Sequence, residues 1–258
     1  IRRIIYKCLV MGTFHFKKFS VVNERSAMKV NTDGVLLGAL MTILPSDRNL
    51  LDIGTGTGTI ALMAAQRLAP LMNDFSEEKP HICAIDIDEP SATEAALNFS
   101  NSPWADHLQA HNLSLDQYAE SLNEGDSFDL IFSNPPYFED SLTAPDQRKS
   151  TARHTSDGLS YRDILDFAAE RLSENGRVAF VLPSDQETQL CRYARMSGLH
   201  LFRMTRVRTV PRKAPSRMIA QFSRTRCDAP TEELLTIQNE GKYTSEYLSL
   251  MRDFYQFA

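Results

Sequence analysis

A short motif near the middle of the chain combines the residue types needed to hold a flat, amine-bearing ring. Residues 134–137 read Asn-Pro-Pro-Tyr and follow an apolar run, 128–132, that predicts a buried strand. The two prolines end the strand and fix a rigid turn. The Asn134 carbonyl and a backbone carbonyl of the turn can accept hydrogen bonds from an NH2 group, and Tyr137 can stack on the ring. A strand-ending turn without a ligand stays open as the alternative.

A glycine-rich segment lies roughly 80 residues upstream of that motif. Residues 52–58 read Asp-Ile-Gly-Thr-Gly-Thr-Gly, between a short apolar strand and an Ala- and Leu-rich helix at 60–68. Glycines let the backbone approach a ligand closely, and the amides that open the helix favour an anionic group. A nicotinamide site would require G-x-G-x-x-G, and Asp52 would repel a pyrophosphate. A dehydrogenase and a plain tight turn remain the alternatives.

Segments of strand type and helix type alternate from about residue 49 to 226, which predicts an α/β fold. The alternation indicates a mostly parallel sheet with helices on both faces, completed by an antiparallel C-terminal strand pair. The seven expected strands are 50–53, 81–86, 108–111, 128–133, 178–182, 199–207 and 218–223. Ligands bind such sheets beyond the carboxyl ends of the strands. We therefore expect the glycine loop and the Asn-Pro-Pro-Tyr turn on this same edge, called the rim below.

The composition fits one large domain. The chain has 258 residues, 42% of them hydrophobic, and we expect 16–258 to form a single domain preceded by an extension or disordered start at 1–15. No apolar run approaches the ~18 residues of a membrane span. The four cysteines are scattered, which argues against a zinc site or disulfide framework and favours a reducing cytoplasm. We expect a monomer that binds no metal.

The net charge of −5 hides two basic segments. Residues 1–29 hold seven Lys or Arg and one acid, and residues 203–226 hold eight Lys or Arg and no acid. Local clusters of this kind predict a nucleic-acid partner even where the whole chain is acidic. A solvated basic strand pair is the alternative.

Three features together resemble the class I S-adenosylmethionine-dependent methyltransferases that act on amino groups. They are the glycine loop, Asp86 at the end of the second strand, and the Asn-Pro-Pro-Tyr turn. The resemblance implies a Rossmann-like fold and S-adenosylmethionine as cofactor. Enzymes of this group methylate adenine N6, guanine N2 or a glutamine amide. It also implies that Asn134 and the Pro135 carbonyl bind the target NH2 while Tyr137 stacks on the target.

Residues 16–38 narrow the resemblance to the bacterial methyltransferases that modify N6 of adenosine 37 in a valine tRNA. Further matches are 101–104, 137–139 and 213–217, so the resemblance covers roughly residues 14–226. The cofactor contacts that it implies are Thr32, Asp33, Asp52, Gly54, Gly56, Gly58, Asp86, Ser114 and Asn134. With the basic segments it implies tRNA contacts at Lys17, Lys18, Arg208, Arg212, Lys213 and Arg217.

Two positions depart from that family. Asn31 stands where the family has glycine, although Asn also tolerates positive φ. In the family an acid commonly follows the third strand and binds the amino group of the cofactor adenine, and the nearest match here is Ser114 or Asp116. Three other functions stay open. They are ribosomal RNA adenine-N6 or guanine-N2 methylation, release-factor glutamine methylation, and an RNA-binding module that binds cofactor without turnover.

Overall fold

The computed structural model describes residues 9–10, 12–71, 79–136, 158–256 and 258. The strands are β1 (Leu9–Val10), β2 (Thr13–His15), β3 (Ser20–Val22), β4 (Asn49–Ile53), β5 (His81–Asp86), β6 (Leu108–Asn112), β7 (Phe128–Ser133), β8 (Leu172–Pro183), β9 (His200–Arg208), β10 (Arg217–Ser223), β11 (Thr231–Thr236), β12 (Gln238–Asn239) and β13 (Lys242–Tyr243). The helices are α1 (Thr32–Leu40), α2 (Thr59–Leu68), α3 (Glu89–Ser100), α4 (Leu115–Ser121), α5 (Tyr161–Arg171), α6 (Glu187–Met196) and α7 (Ser245–Met251).

The central sheet has the order β11-β9-β10-β8-β7-β4-β5-β6. The five strands from β8 to β6 are parallel, and β10 and β9 continue the sheet in antiparallel pairing. The seven expected strands and the antiparallel pair are thus confirmed. An eighth strand, β11, was not predicted and lies parallel to β9 at the edge. Its sequence, Thr-Glu-Glu-Leu-Leu-Thr, has no apolar alternation because only its last two residues are buried.

Helices cover both faces of the sheet, as expected. Alternate residues of each central strand point to opposite faces, so Leu50 packs with α1, α2 and α3, whereas Leu51 packs with α5 and α6. Both leucines are essentially inaccessible to solvent. Burial on both faces explains why the central strands are near-continuous apolar runs.

Two helix starts differ from the sequence prediction. The sequence predicts a helix at 32–41 with Thr32 or Asp33 as its N-cap. This cap was wrong, because Asn31 is the N-cap of α1 and accepts from the Gly34 amide at 2.9 Å. Asn31 has φ −138°, so the replacement of the family glycine does not use positive φ. Helix α4 was not predicted, although Ser114 and Gln117 form a capping box at its start.

The chain's two ends pack together outside the central sheet. Strands β1, β2 and β3 form a small antiparallel sheet, and the Phe14 side chain is 1% exposed. Among the described residues of segment 1–15, strands β1 and β2 pair with each other, and the expected domain limits stay a prediction. The rings of Phe16 and Tyr255 stack 5.9 Å apart. The amphipathic pattern of 245–257 predicts a helix over that whole segment, whereas α7 ends at Met251. In the described ranges, no helix has the length and apolar character needed to cross a membrane.

Candidate active site

The register of three neighbouring strands brings the main candidate residues to one level of the rim. Strand β4 lies between β5 and β7, and Ile53 is paired with both Ile85 and Ser133. The next residues along the three strands are Gly54, Asp86 and Asn134. The Ser133 hydroxyl donates to the Ile53 carbonyl at 2.7 Å, which fixes the β4–β7 register where the site begins. The expectation that the glycine loop and the Asn-Pro-Pro-Tyr turn share one edge is confirmed for the described residues.

The loop after β4 is compact because its glycines occupy positions that other residues fit poorly. Gly54, Gly56 and Gly58 have φ of 72°, 56° and 78°. A Cβ added at Gly58 would lie 2.5 Å from Cε1 of Phe99, which is buried against it. The Gly54 and Thr55 amides both donate to the Ile85 carbonyl, at 2.9 and 3.0 Å. The loop backbone is therefore tied to β5 before α2 begins.

Asp52 supplies a buried carboxylate just before the loop. Its side chain is fully inaccessible, and Oδ2 accepts from the Thr55 hydroxyl at 2.7 Å. Burial raises the pKa of Asp52 to about 7, the Thr55 bond opposes this rise, and the Asp86 charge adds to it. Atom Oδ1 is also buried and has no hydrogen-bond partner within the described ranges. A protonated amine would provide the missing donor and stabilise the ionised carboxylate.

Asp86 connects the end of β5 with the glycine loop. Its Oδ2 accepts from the Gly56 amide at 2.8 Å, and Oδ1 accepts from the Asp88 amide at 2.9 Å. Burial raises the pKa of Asp86, while these two amide bonds lower it. Asn112 Nδ2 donates to the carbonyls of Asp86 and Ile87, at 3.0 and 2.9 Å. The carboxylate is thus held in one place, with acceptor lone pairs left for hydroxyl donors.

Two residues at this rim were missed by sequence reasoning. Ile87 follows Asp86 directly and is 76% exposed, which is unusual for a large apolar side chain. Asn112 fixes the backbone on which Asp86 and Ile87 stand. Ile87 is recognisable only by its exposure in the structure. In the sequence, nothing distinguishes it from a buried strand residue.

Asn134 lies at the opposite side of the glycine loop from Asp86. Its side chain is 6% exposed, and its Nδ2 donates to the Met28 sulfur at 3.2 Å. Pro135 is buried and Pro136 is exposed, as expected for a turn that leaves the sheet. Tyr137, together with the segment 138–157, lies outside the described residues, so its stacking role stays a prediction.

The residues that open α1 and α4 have partners of their own. The Asp33 carboxylate forms an ion pair with Arg217, with Oδ2 to Nε at 2.7 Å. This pair brings a residue predicted for the cofactor side together with one predicted for RNA. Thr32 begins α1 beside it. The Ser114 hydroxyl accepts from the Gln117 amide at 3.1 Å as the cap of α4. Contacts of Thr32 and Ser114 with a cofactor remain predictions.

The positive charge of the strand pair β9 and β10 is partly neutralised by glutamates from other parts of the chain. Arg206 binds Glu187 and Glu232 at 2.6 and 2.8 Å, and Arg203 binds Glu233 at 3.0 Å. These glutamates lie on α6 and β11. Arg203 and Arg206 are therefore engaged within the fold, and the charge of the 203–226 segment overstates what the surface offers.

The turn between β9 and β10 carries the remaining basic candidates to the rim. Arg217 pairs with Pro183, the last residue of the parallel strand β8, so the turn lies at the same edge as the glycine loop. Arg212 and Lys213 are exposed in this turn. Arg208 donates from Nε to Thr236 and from Nη1 to the Pro211 carbonyl, at 2.8 and 3.0 Å, which shapes the turn.

Lys17 and Lys18 lie elsewhere. Lys17 Nζ donates to the carbonyls of Arg252 and Ala258, at 2.5 and 3.0 Å. The neighbouring Phe19 ring contacts Trp104, which precedes β6. Both contacts lie towards the amino ends of the parallel strands. The structure therefore places Lys17 and its neighbour Lys18 away from the turn at the rim, and RNA contacts of these two lysines stay predictions.

Comparison with solved structures defines the class of the fold. A protein of Agrobacterium tumefaciens described as a predicted O-methyltransferase superposes with a TM-score of 0.61 at 16% identity, covering 86% of this chain and 96% of that one. A modification subunit of a putative type I restriction enzyme from Vibrio vulnificus gives 0.55 at 14% identity, covering 84% and 50%. The fold is that of the class I methyltransferases. Within the described ranges, no group of three His, Cys, Asp or Glu side chains could hold a metal.

Sequence comparison identifies the family. Residues 26–198 match the Methyltransferase small domain family. A curated relative from Parabacteroides distasonis is 40% identical over 243 residues, covering 94% of this chain and 97% of its own. One from Photobacterium profundum is 39% identical over 243 residues with the same coverage. Both are named tRNA1(Val) (adenine(37)-N6)-methyltransferase, and this chain belongs to their family.

The Gly58 geometry predicts a stability effect. Gly58→Ala should lower the free energy of unfolding by about 2–5 kcal/mol. The alanine backbone must keep the left-handed conformation of Gly58, and its Cβ must displace the Phe99 ring. Urea unfolding measures this change. Gly125→Ala is the matched control, since a Cβ there meets nothing within 4 Å. Equal midpoints for the two variants would contradict the close packing at Gly58.

Proposed function

We propose that this chain transfers a methyl group from S-adenosylmethionine to the exocyclic N6 of adenine 37 in a valine tRNA. The observation that carries the proposal is the buried Asn134, one strand away from the glycine loop at the same level of the rim. The names of the 40% and 39% identical relatives support the same substrate. The exposed Arg212 and Lys213 at that rim suit the phosphates of an anticodon loop.

The described residues fit the cofactor. The unpartnered Asp52 Oδ1 suits the ammonium of its methionine part, and the loop from Gly54 to Gly58 lets that part approach the backbone. Asp86 has lone pairs for the ribose hydroxyls. Ile87 offers an exposed apolar surface for the adenine ring. When bound, the sulfonium supplies an already activated methyl group.

The protein's own task is to place the target amine. The lone pair of an adenine amine is delocalised into the ring, which makes the amine a poor nucleophile. Acceptance of its two N–H bonds by Asn134 Oδ1 and the Pro135 carbonyl would favour a more tetrahedral nitrogen and direct its lone pair. The released proton can pass to water, so no general base is assigned. Because adenosine 37 lies in a single-stranded loop, turning it out costs less than from a duplex.

Asn134→Ala tests this role of the amide. The variant should lose roughly 10²–10³-fold in kcat for tRNA methylation, because one of the two amine acceptors is gone. Calorimetry with S-adenosylhomocysteine should still give a Kd close to that of the wild-type protein. Nucleoside mass spectrometry measures the N6-methyladenosine formed. Asn175→Ala, at an exposed position on β8, is the control and should methylate normally. Unchanged methylation by Asn134→Ala would reject the role.

The Asp52 pKa predicts a pH dependence of cofactor binding. The pKa of the folded protein, about 7, lies above the ordinary value of 3.8, so the carboxyl is protonated below pH 7 and must lose its proton to bind an ammonium. The affinity for S-adenosylhomocysteine should therefore rise with pH, by about tenfold per unit between pH 5.5 and 6.5, and level off above 7. The ligand's amine stays protonated in this lower range.

Asp52→Asn provides the control for that dependence. The variant cannot ionise at this position, so its affinity should be weaker and nearly flat across the same pH range. Isothermal titration calorimetry at matched ionic strength gives both curves. Parallel pH profiles for the wild-type protein and Asp52→Asn would show that Asp52 does not set the dependence.

A further inference from the structure

A buried carboxylate outside the site holds the segment 24–28, called the strap below. Glu94 Oε1 accepts from the backbone amides of Glu24 and Arg25, both at 2.7 Å, and Oε2 accepts from that of Ser26 at 2.9 Å. The Glu94 side chain is 3% exposed and lies on α3. One carboxylate thus binds three consecutive amides of a chain segment about 70 residues away in sequence.

The three bonds to Glu94 leave the strap backbone little freedom. Among the described residues, the hydrogen-bond partners of this carboxylate are the three amides, and it forms no ion pair. A buried charge without an opposite charge depends on such donors, and bonds of this charge-assisted kind are about twice as strong as neutral ones. Any displacement of the strap would leave the carboxylate unsolvated. The strap backbone is therefore fixed relative to α3.

The strap ends at the active site. The Ser26 hydroxyl donates to the Met28 carbonyl at 3.0 Å and bonds the Ser91 hydroxyl at 3.0 Å. A Cβ at Gly56 would lie 3.4 Å from that Met28 carbonyl oxygen, so the strap rests on the glycine loop. From there the Met28 sulfur reaches Asn134 Nδ2 at 3.2 Å.

The Met28 contact distinguishes the two ends of the Asn134 amide. A thioether sulfur only accepts, so it favours the NH2 end of the amide, and Oδ1 is directed away from Met28. Oδ1 is the atom that can accept a hydrogen bond from a target amine. The amide in the opposite orientation would present a donor to that amine and repel it.

We propose that Glu94 is a positioning residue, which acts through the strap and Met28 to keep Asn134 Oδ1 turned towards the substrate amine. This role rests on the proposed function. It makes the rate of methyl transfer depend on a carboxylate that contacts neither cofactor nor RNA.

Methylation kinetics of single and double variants, measured against the wild-type protein, test this series of contacts. Glu94→Gln places an NH2 group against at least one strap amide, so kcat for tRNA methylation should fall by about tenfold. Met28→Leu roughly conserves the side-chain volume but removes the acceptor, and kcat should fall by about threefold. The double variant should be no slower than Glu94→Gln, because both substitutions disrupt the same series of contacts from Glu94 to Asn134. KM for tRNA should stay within about twofold, since no RNA contact is altered. Glu89→Gln, at an exposed position on α3, is the control.

Two results would overturn the positioning role. One is a double variant whose loss is the product of the single losses, since independent effects multiply. The other is a Met28→Leu variant as fast as the wild-type protein, which decides the matter even if Glu94→Gln does not fold. Met28→Gln restores an acceptor and should recover part of the lost kcat. No turnover of tRNA by the wild-type protein would instead reject the proposed function, and the positioning role with it.

Discussion

The shared register of β4, β5 and β7 is the constraint on which the site depends. Ile53 pairs with Ile85 on one side and Ser133 on the other, so the residues that leave the three strands emerge at one level. A shift by one residue would move Asp86 or Asn134 away from the glycine loop and reverse the faces of a strand that is buried on both sides. The apolar packing of the central strands therefore also sets the distances of the polar rim. Stability and site geometry have the same origin here.

Electrostatics at the rim follow from burial rather than from the number of charges. Burial raises the pKa of Asp52 to about 7, and its buried Oδ1, which has no hydrogen-bond partner in the described structure, suits a cationic ligand. On the outer surface, charges are paired instead of isolated. Two arginines of the basic segment 203–226 form ion pairs with Glu187, Glu232 and Glu233. Arg212 and Lys213 remain exposed in the turn at the rim, and the proposed function assigns this charge to RNA.

The parts of the site that could be predicted are those encoded in contiguous sequence. The glycine loop, Asp86 and Asn134 each follow a buried strand directly, so strand prediction alone places them on one edge. Contacts between distant segments could not be predicted. The Glu94 carboxylate meets the strap about 70 residues away, and β11 meets β9 without an apolar pattern of its own. The bonds of the Lys17 ammonium to carbonyls near the C-terminal helix also join residues more than 200 positions apart, and the predicted RNA contact of Lys17 stays a prediction.

The central claim, methyl transfer to adenine N6 in tRNA, is tested most directly by the product. Unmodified valine tRNA should be incubated with the wild-type protein and S-adenosylmethionine that carries a labelled methyl group. Nuclease digestion and mass spectrometry then identify the labelled nucleoside and its position. The structure and family predict N6-methyladenosine at position 37 alone. Label in N2-methylguanosine, in a glutamine side chain of a protein substrate, or nowhere in the tRNA would contradict the account.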